Sequence, residues 1–296
     1  MPPSENDTTP RSRHALLDRA TRQLREAERD APRRSAAWLL MEVLGCDRGA
    51  LHAHSGRTVD PEDARRLEAM VERCAAGEPL QHVLGYTSFR GLRIQVSPAV
   101  MVPRPETEEV VGAALAAIDE TEAPRVLDVG TGSGCIALAI KHERPDADVQ
   151  AWDVSDDALA VAHDNADRLG LDVSIAQVDL FDDENGTNRP VHPVDLLVSN
   201  PPYIPDDEAE TLSPVVRDYD PDVALFAGDD PLRFYRALAA RTPTLCAPGA
   251  AVVLEAHADY AEAAAAVLKE AGLQDVRVQD DLSGRPRILT AQYRGP

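Results

Sequence analysis

Lysine is almost absent from the sequence. Lys141 and Lys269 are the only lysines among 296 residues, and Asp+Glu 51 against Lys+Arg 30 give a formal net charge of −21. An acidic surface repels polyanions, so duplex nucleic acid is not an expected partner. The composition also resembles that of proteins from salt-rich or GC-rich organisms, in which the charge reflects habitat rather than a ligand.

Long apolar runs and aromatic residues are scarce as well. No stretch approaches the roughly 18 consecutive apolar residues of a membrane span, and Met1–Arg13 contains no apolar signal segment. We therefore expect a cytoplasmic protein without membrane contact. Aromatic residues make up only 4% of the chain, which argues against a platform on which nucleic-acid bases would stack.

The four cysteines show neither a metal-binding nor a disulfide pattern. Cys46, Cys74, Cys135 and Cys246 are widely separated, with no C-x-x-C pair and no histidine at ligand spacing. Structural zinc sites need such spacing. We expect reduced, buried thiols and no bound metal.

The N-terminal part of the sequence predicts a small helical domain. Apolar residues recur at helical spacing in three segments. The third helix begins at Asp60-Pro61, where a capping residue precedes a proline at the first helical position. We assign residues 1–84 to this domain and expect residues 1–12 to be disordered.

Beyond residue 84 the hydrophobic pattern changes twice. Residues 85–103 alternate with a period of two around Gly91, which predicts a β-hairpin linker. Residues 104–296 alternate apolar strand-like runs with helical segments, which predicts a doubly wound α/β domain whose mostly parallel sheet is covered on both faces. The seven predicted strands span residues 125–129, 148–153, 173–178, 194–199, 250–255, 275–279 and 286–292. The last two of these strands can pair antiparallel.

A glycine-rich turn follows the first strand of the α/β domain. It consists of Gly130, Thr131, Gly132, Ser133 and Gly134 and opens a helix. A dinucleotide-binding fingerprint would have its third glycine one position later, where this chain has cysteine. The G-x-G-x-G spacing suits a ligand with no pyrophosphate at the helix N-terminus, which disfavours a nicotinamide-dependent oxidoreductase.

Acidic residues end the next two strands. Asp153 lies about 20 residues beyond the glycine turn, where a carboxylate takes the ribose hydroxyls of an adenosyl group. Asp179 can accept a hydrogen bond from an adenine amino group, and Leu180 and Phe181 supply an apolar wall. Because the carboxyl ends of parallel strands converge on one crevice, the pattern predicts an adenosine-binding site there.

The fourth strand ends in N-P-P-Y, residues Asn200, Pro201, Pro202 and Tyr203. The two prolines prevent continuation as a helix or a central strand and leave carbonyl oxygens on a stiff loop. The side-chain oxygen of Asn200 and the carbonyl oxygen of Pro201 are placed to accept from a planar NH2 group, while Tyr203 packs on its flat face. Asn200 also borders the predicted cofactor crevice.

Together these motifs resemble the class I S-adenosylmethionine-dependent methyltransferases that act on planar nitrogen. A narrower resemblance is to the protein-(glutamine-N5) methyltransferases that modify peptide chain release factors. It depends on residues 79–85, 102–108 and 222–230 and on the helical N-terminal domain, and it covers nearly everything from residue 12 onward. The resemblance implies methyl transfer to the glutamine of the Gly-Gly-Gln motif of a release factor, with S-adenosylhomocysteine as the second product.

The resemblance also implies roles for individual residues. Residues 130–134 would hold the methionine moiety of S-adenosylmethionine, Asp153 its ribose, and Asp179 and Leu180 its adenine. The helical domain would bind the release factor, and we expect a monomer that does not bind nucleic acid directly. Three further residues would border the pocket: Arg104, Pro105 and Thr107.

Two other functions remain open on the sequence alone. N-P-P-Y is shared with enzymes that methylate exocyclic amines of DNA or RNA bases, although the chain has no basic cluster with interleaved aromatic residues. The chain can also be a cofactor-binding protein without catalytic activity. The presence of both the glycine turn and N-P-P-Y argues against that reading.

Overall fold

The computed structural model describes residues 12–182, 190 and 192–295. The chain divides into two compact units, Met1–Gly85 and Tyr86–Pro296, and the domain limits placed at residues 84 and 103 stay predictions. Of the segment expected to be disordered, residues 1–11 lie outside the described ones. Ser12 differs from the expectation because its hydroxyl accepts a hydrogen bond from the Ala15 amide and caps the first helix.

The described part of the first unit is helical. Its helices are α1 (Arg13–Glu26), α2 (Pro32–Leu44), α3 (Arg48–Ala53), α4 (Pro61–Ala75) and α5 (Leu80–Leu84). Leu24, Leu39 and Leu40 are completely buried in its core. The start of α4 agrees with the sequence, since Asp60 accepts from the Glu62 amide at 2.8 Å and Pro61 takes the first helical position. The short helix α5 was not predicted.

The second unit begins with the predicted hairpin and continues as an α/β domain. Its strands are β1 (Tyr86–Phe89), β2 (Leu92–Gln95), β3 (Arg125–Val129), β4 (Asp148–Asp153), β5 (Ser174–Gln177), β6 (Val194–Ser199), β7 (Ile204–Pro205), β8 (Phe226–Gly228), β9 (Cys246–Glu255), β10 (Gln274–Asp280) and β11 (Pro286–Gln292). Its helices are α6 (Pro105–Ala117), α7 (Cys135–Glu143), α8 (Asp156–Leu169), α9 (Pro214–Tyr219), α10 (Asp222–Leu225), α11 (Arg233–Leu245) and α12 (Ala261–Glu270).

Within the described ranges, seven strands form one sheet in the order β10-β11-β9-β6-β3-β4-β5. The run from β9 to β5 is parallel, and β11 pairs antiparallel with both β9 and β10. The sequence prediction of a doubly wound, mostly parallel sheet with an antiparallel end is therefore confirmed. Parallel pairing brings the carboxyl ends of β3, β4, β5, β6 and β9 to one edge.

Both faces of the sheet are covered, as its continuous apolar strands require. Val126 and Leu196 point into a core that includes residues of α6, α7 and α8. Their neighbours Leu127 and Leu197 point the other way, into a core that includes residues of α11 and α12. Among the described residues, no helix is long and apolar enough to cross a membrane.

The hairpin is fastened to the α/β domain through Asn165 of α8. The Asn165 Oδ1 atom accepts from the Gln95 amide at 2.7 Å, and its Nδ2 donates to the carbonyl of Gln95 at 3.0 Å and of Ser133 at 2.9 Å. One buried amide side chain thus connects strand β2 with the glycine turn.

A segment between β6 and α11 had no counterpart in the sequence prediction. Strands β7 and β8 pair in parallel, and a 3-10 helix (Asp206–Thr211), α9 and α10 lie between them in the chain. The elements are two to six residues long, too short for hydrophobic periodicity to reveal them.

Candidate active site

A cavity of about 320 Å³ lies at the carboxyl edge of the parallel strands. Small-molecule sites in proteins typically occupy roughly 300–1,000 Å³. Twelve of the predicted site residues line it: Thr107, Gly130, Thr131, Gly132, Ser133, Asp153, Asp179, Leu180, Phe181, Asn200, Pro201 and Pro202. The lining described here does not include Arg104, Pro105, Gly134 or Tyr203.

The first half of the glycine turn forms a smooth wall of backbone. The amides of Gly130 and Thr131 donate to the Trp152 carbonyl at 2.8 and 2.9 Å, which ties the turn to β4. Gly130 and Gly132 have φ angles of 73° and 55°, and a Cβ atom at either would meet no atom of the protein within 4 Å. Glycine is therefore needed there for the left-handed backbone, and it leaves the adjacent space open to a ligand.

Gly134 serves packing rather than the cavity. Its φ angle is 81°, and a Cβ atom there would lie 3.0 Å from Leu138 Cδ1 and 3.4 Å from Ala162 Cβ. The third glycine of the motif thus lets α7 pack closely against α8. Its predicted contact with a cofactor has no counterpart in the lining of the cavity.

Asp153 holds the glycine turn from the end of β4. Its Oδ2 accepts from the Gly132 amide at 2.8 Å and its Oδ1 from the Ser155 amide at 3.0 Å. Each carboxylate oxygen keeps further acceptor capacity. Asp153 also lines the cavity, so it can accept hydrogen bonds from hydroxyl groups of a ligand.

Asp128 supports the same turn and was missed in the sequence. It is completely buried at the end of β3, and its Oδ2 accepts from the Thr131 hydroxyl at 2.6 Å and the Ala137 amide at 3.2 Å. Burial raises the pKa of Asp128 to about 7, although these two hydrogen bonds oppose the rise. An acid at the penultimate position of a strand just before a glycine turn was the available signal.

Residues after β5 form an apolar wall with a cationic edge. Asp179 Oδ1 accepts from the Phe181 amide at 2.8 Å, which fixes the chain there. The guanidinium of Arg233 lies 4.1 Å from the centre of the Phe181 ring, and Phe234 meets the same ring edge to face at 5.1 Å. Arg233 and Phe234 both line the cavity, and neither was predicted from the sequence.

The N-P-P-Y loop begins where β6 meets β3. The Ser199 hydroxyl donates to the Val129 carbonyl at 2.6 Å, which anchors the strand end beside the glycine turn. Asn200 then enters the cavity wall, and its Nδ2 donates to the Thr107 hydroxyl at 3.4 Å. Tyr203 lies on the other side of the loop, where its hydroxyl is 3.5 Å from Glu255 Oε1.

The remaining walls come from two apolar segments. Before α6, Ala99, Val100, Met101 and Pro103 line the cavity, and Val223, Ala224 and Phe226 line it from α10 and β8. Arg104 pairs with the buried Asp220 at 2.6 Å, so it connects these two segments instead of facing the cavity. Pro105 is the first residue of α6.

The cavity offers no metal centre. In the parts of the chain that the structure describes, no group of three or more His, Cys, Asp or Glu residues is placed to hold a metal ion. The lining polar groups include backbone amides, hydroxyls, two carboxylates, the Asn200 amide and the Arg233 guanidinium, a set suited to an organic ligand with hydroxyl and amino groups.

This sheet order, with a glycine turn and a cavity at its carboxyl edge, defines the class I methyltransferase fold. The catalytic domain of hMettl16, solved in complex with the MAT2A 3′UTR hairpin 6, superposes on 80% of this chain and 84% of its own with a TM-score of 0.51 and 15% identity. At that identity the likeness concerns the fold alone.

Sequence comparisons identify the family. A model described as the PrmC N-terminal domain matches residues 15–85, and one described as the methyltransferase small domain matches residues 112–216. The Release factor glutamine methyltransferase of Deinococcus radiodurans is 41% identical over 280 residues, or 95% of this chain and 98% of that protein. The protein of the same name from Streptomyces coelicolor is 41% identical over 289 residues, with the same coverage of 95% and 98%. The chain belongs to the release factor glutamine methyltransferase family.

Proposed function

We propose that this enzyme transfers the methyl group of S-adenosylmethionine to the side-chain amide nitrogen of the glutamine in the Gly-Gly-Gln motif of peptide chain release factors. The observation that carries the proposal is 41% identity, over 95% of the chain, to a relative named Release factor glutamine methyltransferase. A release factor belongs to the translation machinery, so the proposed place of action is the cytoplasm. A monomeric state stays a prediction.

The residues of the cavity fit the proposed cofactor. The open backbone at Gly130 and Gly132 would accommodate its methionine part, and the Asp153 carboxylate would accept from its ribose hydroxyls. Asp179 and Leu180 would contact the adenine, with Phe181 and Arg233 closing that end. When bound, the cofactor supplies a methyl group that is attached to a positively charged sulfur. After the transfer of the methyl group, this sulfur is the neutral thioether of S-adenosylhomocysteine.

Asn200 and Pro201 would prepare the substrate amide for the reaction. A carboxamide nitrogen is a poor nucleophile because its lone pair is delocalised into the carbonyl group. Hydrogen bonds from its NH2 group to Asn200 Oδ1 and the Pro201 carbonyl would favour the pyramidal form, whose lone pair is free. Fixed acceptors of this kind stabilise the charge that develops in the transition state without reorganising.

Tyr203 would contribute differently from the expectation of a ring packed on the substrate. Its hydroxyl points to Glu255 and it is not among the described lining residues, so we assign it to the support of the loop. Pro202, which does line the cavity, would then provide the apolar surface against the amide.

A labelling experiment tests the proposal against methylation of nucleic-acid amines. The enzyme is incubated with S-adenosylmethionine labelled in the methyl group and, in parallel, with a release factor, with total RNA, and with a release factor whose motif glutamine is changed to alanine. We expect label only in the unchanged release factor. Label in RNA, or label undiminished by the glutamine change, would contradict the proposal.

A further inference from the structure

A buried acid lies directly behind the N-P-P-Y loop. Glu255 ends β9, the strand next to β6, and the register Ser199 to Leu254 brings it beside Asn200. Glu255 is 2% exposed and does not belong to the described lining of the cavity. A carboxylate buried at a strand end costs free energy unless its oxygens are hydrogen-bonded, so its partners indicate its purpose.

Both side-chain hydrogen-bond partners of the Glu255 carboxylate connect it to the N-P-P-Y loop. The Thr107 hydroxyl donates to Glu255 Oε2 at 2.7 Å, and Thr107 in turn receives the Asn200 amide at 3.4 Å. The Tyr203 hydroxyl lies 3.5 Å from Glu255 Oε1. One carboxylate therefore stands behind the first and the last residue of the loop.

The Asn200 amide is oriented by the hydrogen bonds that connect Glu255, Thr107 and Asn200, because each of these bonds needs one proton. A threonine hydroxyl has a single proton, and Thr107 donates it to Glu255 Oε2. Because Thr107 gives its proton to Glu255, its oxygen faces Asn200 as an acceptor. The amide must then present Nδ2 to Thr107, which turns Oδ1 away from it. The reversed amide would set two oxygens against each other with no proton between them.

We propose that Glu255 is a positioning residue, which acts through Thr107 to hold the Asn200 amide with its oxygen available to the substrate NH2 group and through Tyr203 to fix the far end of the loop. The proposal rests on the proposed function, in which Asn200 Oδ1 is an acceptor for the substrate. It adds that the orientation of this acceptor is imposed by Thr107 of α6 and, behind it, by Glu255 of β9, which is not part of the described lining of the cavity.

A merely structural role would look different in solution. If Thr107 and Glu255 only connected α6, β9 and the loop, a folded variant would keep its turnover, or would lose it independently of Asn200. A positioning role predicts a loss of kcat with cofactor affinity retained, and this loss should vanish when Asn200 is absent.

The decisive variants differ by one hydroxyl group. Thr107→Val keeps the shape of the side chain and removes its hydrogen bonds, and Thr107→Ser restores the hydroxyl. We expect Thr107→Val to lower kcat on the release factor about tenfold, as for the loss of one hydrogen bond to a charged group. Thr107→Ser should recover most of that loss, and the Kd for S-adenosylmethionine should change less than about threefold.

A second variant covers the case in which Thr107→Val does not fold. Glu255→Gln keeps the volume and replaces the carboxyl group by an amide, which can present either its oxygen or its nitrogen to Thr107. The orientation of Asn200 is then no longer imposed, so kcat should again fall while circular dichroism shows a folded protein.

The same substitutions made in an Asn200→Ala background complete the test. We expect neither to lower kcat further there. Wild-type turnover in both Thr107→Val and Glu255→Gln, or equal losses with and without Asn200, would overturn the positioning role. Failure of the wild-type enzyme to methylate a release factor would instead refute the proposed function, so the two failures can be told apart.

Discussion

Gly132 and Gly134 belong to one sequence motif, yet alanine should affect them in different ways. Both have positive φ angles, 55° and 81°, which cost a residue with a Cβ atom about 1–2 kcal/mol each. Only at Gly134 would the new Cβ atom meet neighbours, with Leu138 Cδ1 at 3.0 Å and Ala162 Cβ at 3.4 Å. Overpacking of this kind adds about 1–3 kcal/mol.

Comparison of the two variants isolates the packing contribution. The effect of alanine on the unfolded chain is the same for both, so it cancels in the difference. Gly134→Ala should therefore be about 1–3 kcal/mol less stable than Gly132→Ala. For a unit of this size, each kcal/mol lowers the Tm by about 2–4 °C. The expected gap in Tm is thus roughly 2–12 °C, measured by thermal unfolding without cofactor.

Cofactor binding should show the opposite order. The methyl group introduced by Gly132→Ala would project beside the cavity. There it would weaken the binding free energy of a ligand by about 1–3 kcal/mol, which raises Kd roughly 5- to 150-fold. Isothermal titration with S-adenosylmethionine, below the Tm of both variants, measures this. Equal Tm values for the two variants, or a Gly132→Ala protein that binds as tightly as the wild type, would refute the division of roles within the motif.

Two further predictions concern Asn200, the proposed acceptor for the substrate amide, and Asp128, the buried acid next to the glycine turn. Asn200→Ala should lower turnover by roughly 10²-fold or more, as for the loss of a transition-state partner, with the cofactor Kd changed less than about tenfold; near wild-type turnover would contradict its role. Burial raises the pKa of Asp128 to about 7, so between about pH 5 and 7 the folded state binds a proton that the unfolded state has lost. Its contribution to stability is present at low pH and is lost as the pH rises, so the free energy of unfolding of the wild type relative to Asp128→Asn should fall by up to roughly 1 kcal/mol per pH unit across this window in denaturant titrations. A pH-independent difference would show that Asp128 is already ionised in the fold.

The middle of the sheet was predictable because its strands β3, β4 and β6 are mostly buried, largely apolar runs bounded by turn residues. The predicted limits 125–129, 148–153 and 194–199 coincide with β3, β4 and β6, and their carboxyl ends place Asp153 and Asn200 at one edge. Parallel pairing makes this edge shared whatever the details of packing. The residues that lie on it could therefore be identified from the sequence alone.

What the sequence missed depends on contacts between distant segments. Arg233 reaches the cavity only because α11 brings it over Phe181, and Arg104 turns away from the cavity only because Asp220 is buried near it. In the sequence, Glu255 is simply the polar end of an apolar strand. Its connection with Asn200 exists because β9 lies next to β6 in the sheet. No periodicity in the chain contains this information.

Methylation of the motif glutamine can be measured by tandem mass spectrometry of a release factor that is digested after incubation with the enzyme and S-adenosylmethionine. We expect one added methyl group, on the glutamine of the Gly-Gly-Gln motif, and its absence when the Asn200→Ala enzyme is used for the same time. A methyl group on any other residue, or an unmodified release factor after treatment with the wild-type enzyme, would contradict the proposed function.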